Sequence, residues 1–251
     1  MAREARSGVG RAEAGAPARR TARRFAIAGV VAVILVGGTV AATYTPLFAA
    51  RHITVRGSLA RAEVLSLAEV NARSNVFHLD VRAVERRLER DPRIRDATVR
   101  TDVPDRVTIE VVTRDPVGVV GSPASFVGAD GVVIGPAARH PVLPTLVSSD
   151  GGPLDDEGRS VGAATAAALG PALRAAVDAV VVAPAAVEVR LVAGFTASFG
   201  APSELAAKAD SLAALLRWAG EEGVTVLSAD LSVPGSPTAV LDRDQGAVSV
   251  P

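Results

Sequence analysis

An uncharged run of 26 residues, from Phe25 to Ala50, constrains what this chain can fold into more than any other feature. Its most apolar part, Phe25–Tyr44, has 20 residues. An α-helix of that length, rising 1.5 Å per residue, spans about 30 Å, which is the thickness of the hydrocarbon core of a bilayer. We therefore predict one transmembrane helix over residues 25–46, because the sequence contains no second apolar run of this length.

The segment before this run is strongly basic. Residues 1–24 carry seven arginines against two glutamates, a net charge of +5. Arginine and lysine are enriched on the cytoplasmic side of membrane spans, and a segment this poor in apolar side chains does not fold alone. We therefore predict a disordered cytoplasmic tail over residues 1–24 and a location outside the cytoplasm for the chain beyond Arg51. The four arginines next to the run are Arg19, Arg20, Arg23 and Arg24.

A cleaved signal peptide is the main alternative to this anchor, because Val40-Ala41-Ala42 has the small residues of a cleavage site. The apolar regions of signal peptides have roughly 7–15 residues, so the longer run favours an uncleaved anchor. A buried helix of a soluble protein is a further alternative, which the apolar character of all its faces and the one-sided basic flank disfavour.

Residues 51–119 have the pattern of a small α+β module in the order β-α-α-β-β. Alternating apolar residues bounded by turn residues predict its strands, and Asp80 is a suitable N-cap for its second helix. Pro92 disfavours helical backbone at the residue before it, so this helix ends near Arg90. The predicted elements are strands His52–Arg56, Ile94–Thr101 and Arg106–Thr113, and helices over residues 60–69 and from Val81 to about Arg90.

Residues 120–242 are predicted to form a mixed α/β domain with a mainly antiparallel sheet, followed by a flexible tail over residues 243–251. Its clearest helix is Ser203–Gly220, with Ser203 as the cap, and the polar, glycine-rich residues 148–162 predict an exposed loop. The other predicted elements are strands Val117–Val120, Ala186–Val192, Phe195–Phe199, an interrupted strand from Val224 to Val233 and Thr238–Leu241, a hairpin over Ser125–Ile134, and helices Ala163–Leu169 and Ala172–Val180.

No pattern in the sequence predicts catalysis, a cofactor or a metal site. Cys is absent, and none of the three His residues has a His partner three or four positions away. The P-loop, Rossmann and nucleophile-elbow motifs are also missing. Lys208, the single lysine, is a candidate for a nucleophilic dyad with Ser211. The amphipathic pattern of its helix instead predicts that Lys208 lies on a solvated face. For Trp218, an aromatic content of 3% favours packing over base stacking.

Six arginines lie within residues 82–95, and two interpretations of them stay open. Acidic residues are interleaved with them, which is typical of a solvated helix face. The alternative is a docking surface for an acidic partner or for anionic headgroups near the membrane. The predicted location outside the cytoplasm argues against nucleic acid as the ligand. The arginines are Arg82, Arg86, Arg87, Arg90, Arg93 and Arg95.

Several segments resemble the FtsQ/DivIB family of bacterial cell-division proteins. Those that resemble its POTRA module are ITVRG, VFHLDVRAVERRLERDPRIRDATV, PDRVTIEV and RDPVGVV, in this order after the apolar run. The segments that resemble its β-domain are FVGADGVVI, LPTL, VEVRLVAGFTASFGAPSELAAKADSLAALL and VLSADLSVPGSPTAVL. The resemblance covers about 200 residues. The motif Thr113–Gly118 departs from the family pattern, because it lacks a glutamate and has glycine in place of alanine.

The resemblance implies a non-enzymatic, single-span scaffold of the divisome without a cofactor. Such a protein lies in the cell membrane at the division septum, holds FtsB-like and FtsL-like partners, and helps recruit and regulate septal peptidoglycan synthesis. Edge strands offer unpaired N–H and C=O groups to a partner strand, and in the family the last strand of the β-domain takes FtsB. The implied partner-binding residues are Thr238, Ala239, Val240 and Leu241, beside Leu231 and Val233, and the implied recruitment surface is Ile53, Val55, Arg82, Arg86 and Arg90.

Two other classes of function stay open. Another anchored POTRA-containing component of the envelope or of a secretion system would share the first module. An envelope enzyme with an unrecognised site is the second class, although no pairing of residues in the sequence suggests one. An outer-membrane assembly factor is disfavoured because no barrel repeat follows the module.

Overall fold

The structure is a computed structural model that describes residues 29–35, 37–38, 48–137 and 143–242. Residues 29–35 and 37–38 are helical, and their side chains are exposed. Within the described ranges, no helix is both long and apolar enough to cross a membrane. Most of the predicted transmembrane helix, together with the two predicted tails at residues 1–24 and 243–251, lies outside the described residues.

The chain groups into two compact units. Of the described residues, the smaller unit contains those up to Thr54 together with Val70–Val81 and Arg100–Thr108. The larger unit contains Val55–Glu69, Arg82–Val99 and the described residues from Ile109 onwards. These limits differ from the domain limits 51–119 and 120–242, which remain predictions.

The first sheet has three strands and two helices, in the predicted order β-α-α-β-β. Its elements are β1 (His52–Arg56), α1 (Arg61–Ala68), α2 (Val81–Leu88), β2 (Ile94–Asp102) and β3 (Arg106–Thr113). The strand order is β1-β3-β2, so β1 and β2 lie at its two edges. On α2, Val84 and Leu88 are buried, as the helical spacing predicted.

The second sheet has nine strands. They are β4 (Pro116–Val120), β5 (Ser125–Gly128), β6 (Val133–Pro136), β7 (Thr145–Ser148), β8 (Val177–Ala183), β9 (Ala186–Leu191), β10 (Thr196–Gly200), β11 (Val226–Asp230) and β12 (Thr238–Leu241). The strand order is β12-β11-β10-β9-β8-β7-β4-β5-β6. The pairs β4–β7, β7–β8 and β10–β11 are parallel and the other pairs are antiparallel, so the sheet is mainly antiparallel, as predicted.

Helices cover one face of this sheet. α3 (Asp156–Ala168) lies against β8, α5 (Leu205–Glu222) lies against β10, and the two helices contact each other. Between them and the sheet lies an apolar core that includes Val180, Phe199 and Leu212. On the opposite face, β10 carries two polar and partly exposed residues, Thr196 and Ser198. The alternation along β10 follows from the two-residue period of a strand.

Two predictions for the segment before β8 were wrong. The predicted helix Ala172–Val180 is a short helix, α4 (Gly170–Ala175), followed by a strand, because the valines at 177 and 180–182 belong to a central strand between β7 and β9. The predicted loop 148–162 contains the start of α3. Asp155 caps α3, since its Oδ1 accepts a hydrogen bond from the Gly158 N–H at 2.7 Å.

The predictions for the first turns of α5 also need correction. The residue before the helix is Glu204, which has a left-handed backbone (φ 52°) and no capping side-chain bond, so Ser203 is not the cap. Lys208 does not lie on a solvated face, because only 1% of it is exposed. Its Nζ donates to the carbonyl oxygen of Ala201 at 2.7 Å, which turns the side chain back over the preceding loop.

Candidate partner-binding edge

The strand β12 forms one edge of the nine-stranded sheet. It pairs antiparallel with β11, with Thr238 opposite Asp230, Ala239 opposite Ala229 and Val240 opposite Ser228. Its other side has no strand neighbour among the described residues. An edge strand leaves one row of backbone N–H and C=O groups without a ladder partner, so β12 has the geometry needed to accept another strand.

One face of this edge carries a shallow cavity. Thr238 and Val240 lie on the face that is not covered by helices, beside Ser228 and Asp230 of β11. Together with Thr196 and Ser198 of β10 they line a cavity of about 320 Å³. The side chain of Val240 is well placed for contact with a partner, since 58% of the residue is exposed.

The other face carries a second cavity, of about 350 Å³, between α5 and the turn that precedes β12. Its apolar lining residues are Ala214, Leu215, Trp218 and Pro237. Trp218 is 43% exposed, so it is only partly engaged in the packing that the sequence predicted. The Gly235 N–H donates to Ser211 Oγ at 3.2 Å and holds the turn against the helix. One cavity therefore lies beside β12 itself, and the other lies beside the turn that leads into it.

The hydroxyl of Ser211 forms hydrogen bonds with backbone groups and not with Lys208. Its Oγ donates to the Ala207 carbonyl at 2.9 Å and accepts from Gly235. The Lys208 Nζ donates to Ala201 instead. These bonds give both side chains structural partners, and the geometry offers no nucleophilic dyad. Among the residues that the structure describes, no three His, Asp or Glu side chains are grouped closely enough to hold a metal ion.

The two residues predicted beside the edge strand have different environments. Leu231 is fully buried, and its N–H donates to the Ser198 carbonyl at 2.7 Å, so its side chain belongs to the core and not to a contact surface. Val233 lies in the following turn and is 61% exposed. The hydroxyl and N–H of Ser232 hydrogen-bond the carboxylate of Asp230 and hold its pKa below the usual range. The edge therefore carries an ionised carboxylate beside Thr238.

The predicted recruitment residues fall into two groups. Ile53 and Val55 are half-buried, while the neighbouring Thr54 and Arg56 side chains of β1 are exposed. Three arginines of α2 and its C-terminal end are exposed and form no ion pair with any described residue, whereas Arg87 Nη1 lies 3.3 Å from Glu69 Oε2 and donates to the Ala68 carbonyl at 2.7 Å. The three exposed arginines lie four positions apart, so they follow one another along one side of the helix. These arginines are Arg82, Arg86 and Arg90.

The acidic residues interleaved with these arginines are engaged elsewhere. Glu85 Oε1 accepts the Val99 N–H at 2.8 Å, and Glu89 Oε1 accepts the Ala97 N–H at 3.4 Å. The Asp91 carboxylate binds Arg93, whose hydrogen bonds hold the pKa of Asp91 below its usual range although burial opposes them. The carboxylates of this segment therefore do not neutralise the exposed arginines, which the sequence pattern alone did not indicate.

Known proteins are similar to this chain both in the segment that forms the first sheet and over most of its length. The profile of the POTRA domain, FtsQ-type, matches residues 48–114. Cell division protein FtsQ of Mycobacterium tuberculosis (strain H37Rv) is 30% identical over 216 residues, which are 83% of this chain and 66% of that protein. Cell division protein FtsQ of Mycolicibacterium smegmatis is 28% identical over 230 residues, 84% of this chain and 63% of the relative.

A shorter match has a higher identity. Cell division protein FtsQ of Syntrophotalea carbinolica is 37% identical over 62 residues, which are 25% of this chain and 22% of that protein. The chain thus spans a little less than two thirds of the length of the mycobacterial relatives.

Proposed function

Because the chain belongs to the FtsQ family of cell-division proteins, we propose that it is a non-enzymatic scaffold of the bacterial divisome. It is anchored in the cell membrane by the apolar run, with residues 1–24 in the cytoplasm and the two sheets outside. It binds FtsB-like and FtsL-like partners by strand addition, concentrates at the division septum and helps recruit and regulate septal peptidoglycan synthesis. It binds neither nucleic acid nor a cofactor.

The observation that carries the proposal is the position of β12 at the edge of the large sheet. An added strand forms backbone hydrogen bonds along Thr238–Leu241, and its alternate side chains point to the two faces of the sheet. Val240 lies beside a cavity on one face of the edge, and Trp218 lines a cavity beside the turn that precedes β12. A partner segment with apolar residues on both faces fits this arrangement.

The opposite edge of the sheet is less suited to strand addition. Its strand β6 ends at Pro136, which has no N–H to donate, and Gly135 has a φ of 156° next to a register shift in the pairing with β5. Prolines and irregular pairing are devices that protect strand edges. This difference between the two edges favours β12 as the binding strand.

The first module has a separate role in the proposal. Its exposed arginines on α2 form a recruitment surface for other divisome proteins. Ile53 and Val55 of β1 are assigned to recruitment separately, as the family resemblance implies. We separate this surface from β12 because the two lie in different sheets. Each is therefore open to its own test.

Ala239→Pro tests the proposed strand addition. The Asp242 N–H donates to the Thr225 carbonyl at 2.9 Å, so by the alternation along a strand the N–H of Val240 also faces β11, whereas the N–H of Ala239 faces the free side. Proline at this position removes the outward N–H, and each lost ladder bond costs about 0.5–1.5 kcal/mol, so we expect roughly tenfold weaker binding. The full chain is co-purified with its FtsB-like and FtsL-like partners. Val133→Pro, in the opposite edge strand β6, is the matched control and retains binding. Wild-type recovery of partners by the Ala239→Pro protein would refute the assignment.

A further inference from the structure

The edge strand β2 of the first sheet is covered by side chains of its own module. Among the described residues, the strand order leaves one side of β2 without a strand neighbour. The N–H groups of Ala97 and Val99 donate to Glu89 and Glu85 of α2, at 3.4 and 2.8 Å. Alternate residues of a strand direct their N–H groups to the same side, so both carboxylates accept hydrogen bonds from the same edge of β2.

These carboxylates occupy the donors that an incoming strand needs. Strand addition requires the N–H groups of alternate residues on the free side of the edge strand. An ionised carboxylate accepts a stronger hydrogen bond than the neutral carbonyl of a partner strand. The Ala97 and Val99 side chains are buried, which fixes the register of β2 and keeps these donors facing the carboxylates. An added strand must displace both glutamates.

The edge of the large sheet differs in this respect. Thr238, Ala239 and Val240 are exposed, and no described side chain forms a hydrogen bond with the backbone of β12. The edge strands of the two sheets therefore differ in whether side chains of the protein accept hydrogen bonds from their backbone N–H groups. β2 has internal acceptors for its donors, whereas β12 depends on water or a partner.

We propose that Glu85 and Glu89 close the edge of β2 to strand addition, so that a partner of the first module binds side chains of α2 and not the backbone of β2. The side chains offered by α2 are the arginines 82, 86 and 90, which fit an acidic protein segment. This inference goes beyond the proposed function, because it concerns a different sheet and stands whether or not β12 binds a strand.

Opening the edge tests the inference. The double variant Glu85→Ala, Glu89→Ala removes both acceptors, and the matched variant Glu85→Gln, Glu89→Gln keeps an amide oxygen at each position while removing the charges. Hydrogen exchange of the full chain reports the Ala97 and Val99 amides. We expect their exchange to accelerate at least tenfold in the alanine variant and much less in the glutamine variant.

Self-association shows whether the opened edge accepts a strand. Thr98→Cys places a thiol between the two amides in a chain that has no other Cys. Directly opposed residues of paired strands lie within disulfide reach. We expect a disulfide-linked dimer in the alanine background and a monomer in the wild-type and glutamine backgrounds. If the double variant does not fold, the single variant Glu85→Ala replaces it, with Val99 exchange and the same cross-link as readouts.

Two results would overturn the inference. The first is a folded alanine variant whose amides exchange faster but which forms no dimer, because the glutamates would then cap the strand without controlling strand addition. The second is equal dimer formation in the glutamine variant, which would assign the effect to the loss of negative charge and not to the loss of the acceptors.

Discussion

Arg114 Nε donates to Asp130 Oδ2 at 2.7 Å, and the two residues join the segment between β3 and β4 to the turn between β5 and β6. The same guanidinium donates through Nη1 to the Pro92 carbonyl at 3.0 Å and to the Ile94 carbonyl. One side chain thus connects the start of β2, in the first sheet, with a hairpin of the second. Arg114 lies in the motif that resembles the FtsQ/DivIB family.

Replacing either member of this pair should lower the stability of the chain by different amounts. Arg114→Met leaves two carbonyls and a carboxylate without their donor, and we expect the free energy of unfolding to fall by about 2 kcal/mol. Asp130→Asn removes only a partly exposed ion pair, and the expected loss is about 0.5–1 kcal/mol. Denaturant unfolding of the full chain, followed by circular dichroism, measures both. Equal losses would contradict the role of the carbonyl contacts.

The pair also predicts a dependence on pH. Burial alone would raise the pKa of Asp130, but hydrogen bonds from Arg114 and from the Val132 N–H outweigh it and hold the pKa below its usual value. A lowered carboxyl pKa stabilises the fold at pH values above the unfolded-state pKa of about 3.9, and this stabilisation is lost as pH falls through the lower folded-state pKa. Asp130→Asn should therefore lose less stability than wild type between pH 5 and pH 3.

The contrast between Leu231 and Val233 makes a second prediction. Leu231→Ala removes a fully buried side chain and should cost about 2–5 kcal/mol. Val233→Ala changes an exposed turn residue and should cost less than about 0.5 kcal/mol. Unfolding curves of the two variants check this. If partner binding is weakened by Val233→Ala at unchanged stability, Val233 belongs to the contact surface, whereas Leu231 acts only through the fold.

The burial of Lys208 predicts its chemical reactivity. It is the only lysine in the chain, it is buried, and its Nζ donates a hydrogen bond to the Ala201 carbonyl. An amine-reactive reagent must await local opening to reach it, and an opening cost above about 1.4 kcal/mol slows the reaction more than tenfold. We expect Lys208 to be labelled at least tenfold faster in denaturant than in the native chain, as measured by peptide mass spectrometry. Fast native labelling would mean that the first turns of α5 open readily.

Reversing the arginine charges on α2 tests the recruitment surface. In Arg82→Glu, Arg86→Glu two exposed cations become anions, and at about 0.5–1 kcal/mol per exposed pair an acidic partner should bind roughly tenfold more weakly. The readout is the septal enrichment of a fluorescent fusion of the full chain. Arg73→Glu, Arg106→Glu makes the same change of net charge at exposed positions outside α2 and should leave enrichment unchanged. Co-purification of strand-binding partners should survive in both variants.

The first sheet was predictable because each of its strands carries a local pattern. Val107, Ile109 and Val111 alternate with less buried residues along β3, and all three are buried. The strand Thr238–Leu241 was predicted with its bounds, since turn-forming residues precede it. Local pattern failed at Val177–Ala183, because a short apolar run is compatible with either a buried helix or a central strand until its neighbours β7 and β9 are known.

The site was only partly predictable, for a different reason. The burial of Lys208 depends on its hydrogen bond to a carbonyl seven residues earlier. Glu85 does not neutralise the arginines of α2, because its carboxylate accepts a hydrogen bond from the backbone of a strand residue 14 positions later. Leu231 looks like a strand residue in sequence, but its N–H bonds to β10 and its side chain enters the core. Charge and hydropathy patterns do not encode such tertiary partners.

The position of Trp218 beside the turn that leads into β12 has a practical consequence. It is the only tryptophan in the chain, and it lines the cavity next to Pro237 while remaining partly exposed to solvent. The emission of the unlabelled protein therefore arises from a single known place. A segment that docks along β12 and covers this indole should shift its fluorescence to shorter wavelength, so the chain carries its own optical probe for occupation of that edge.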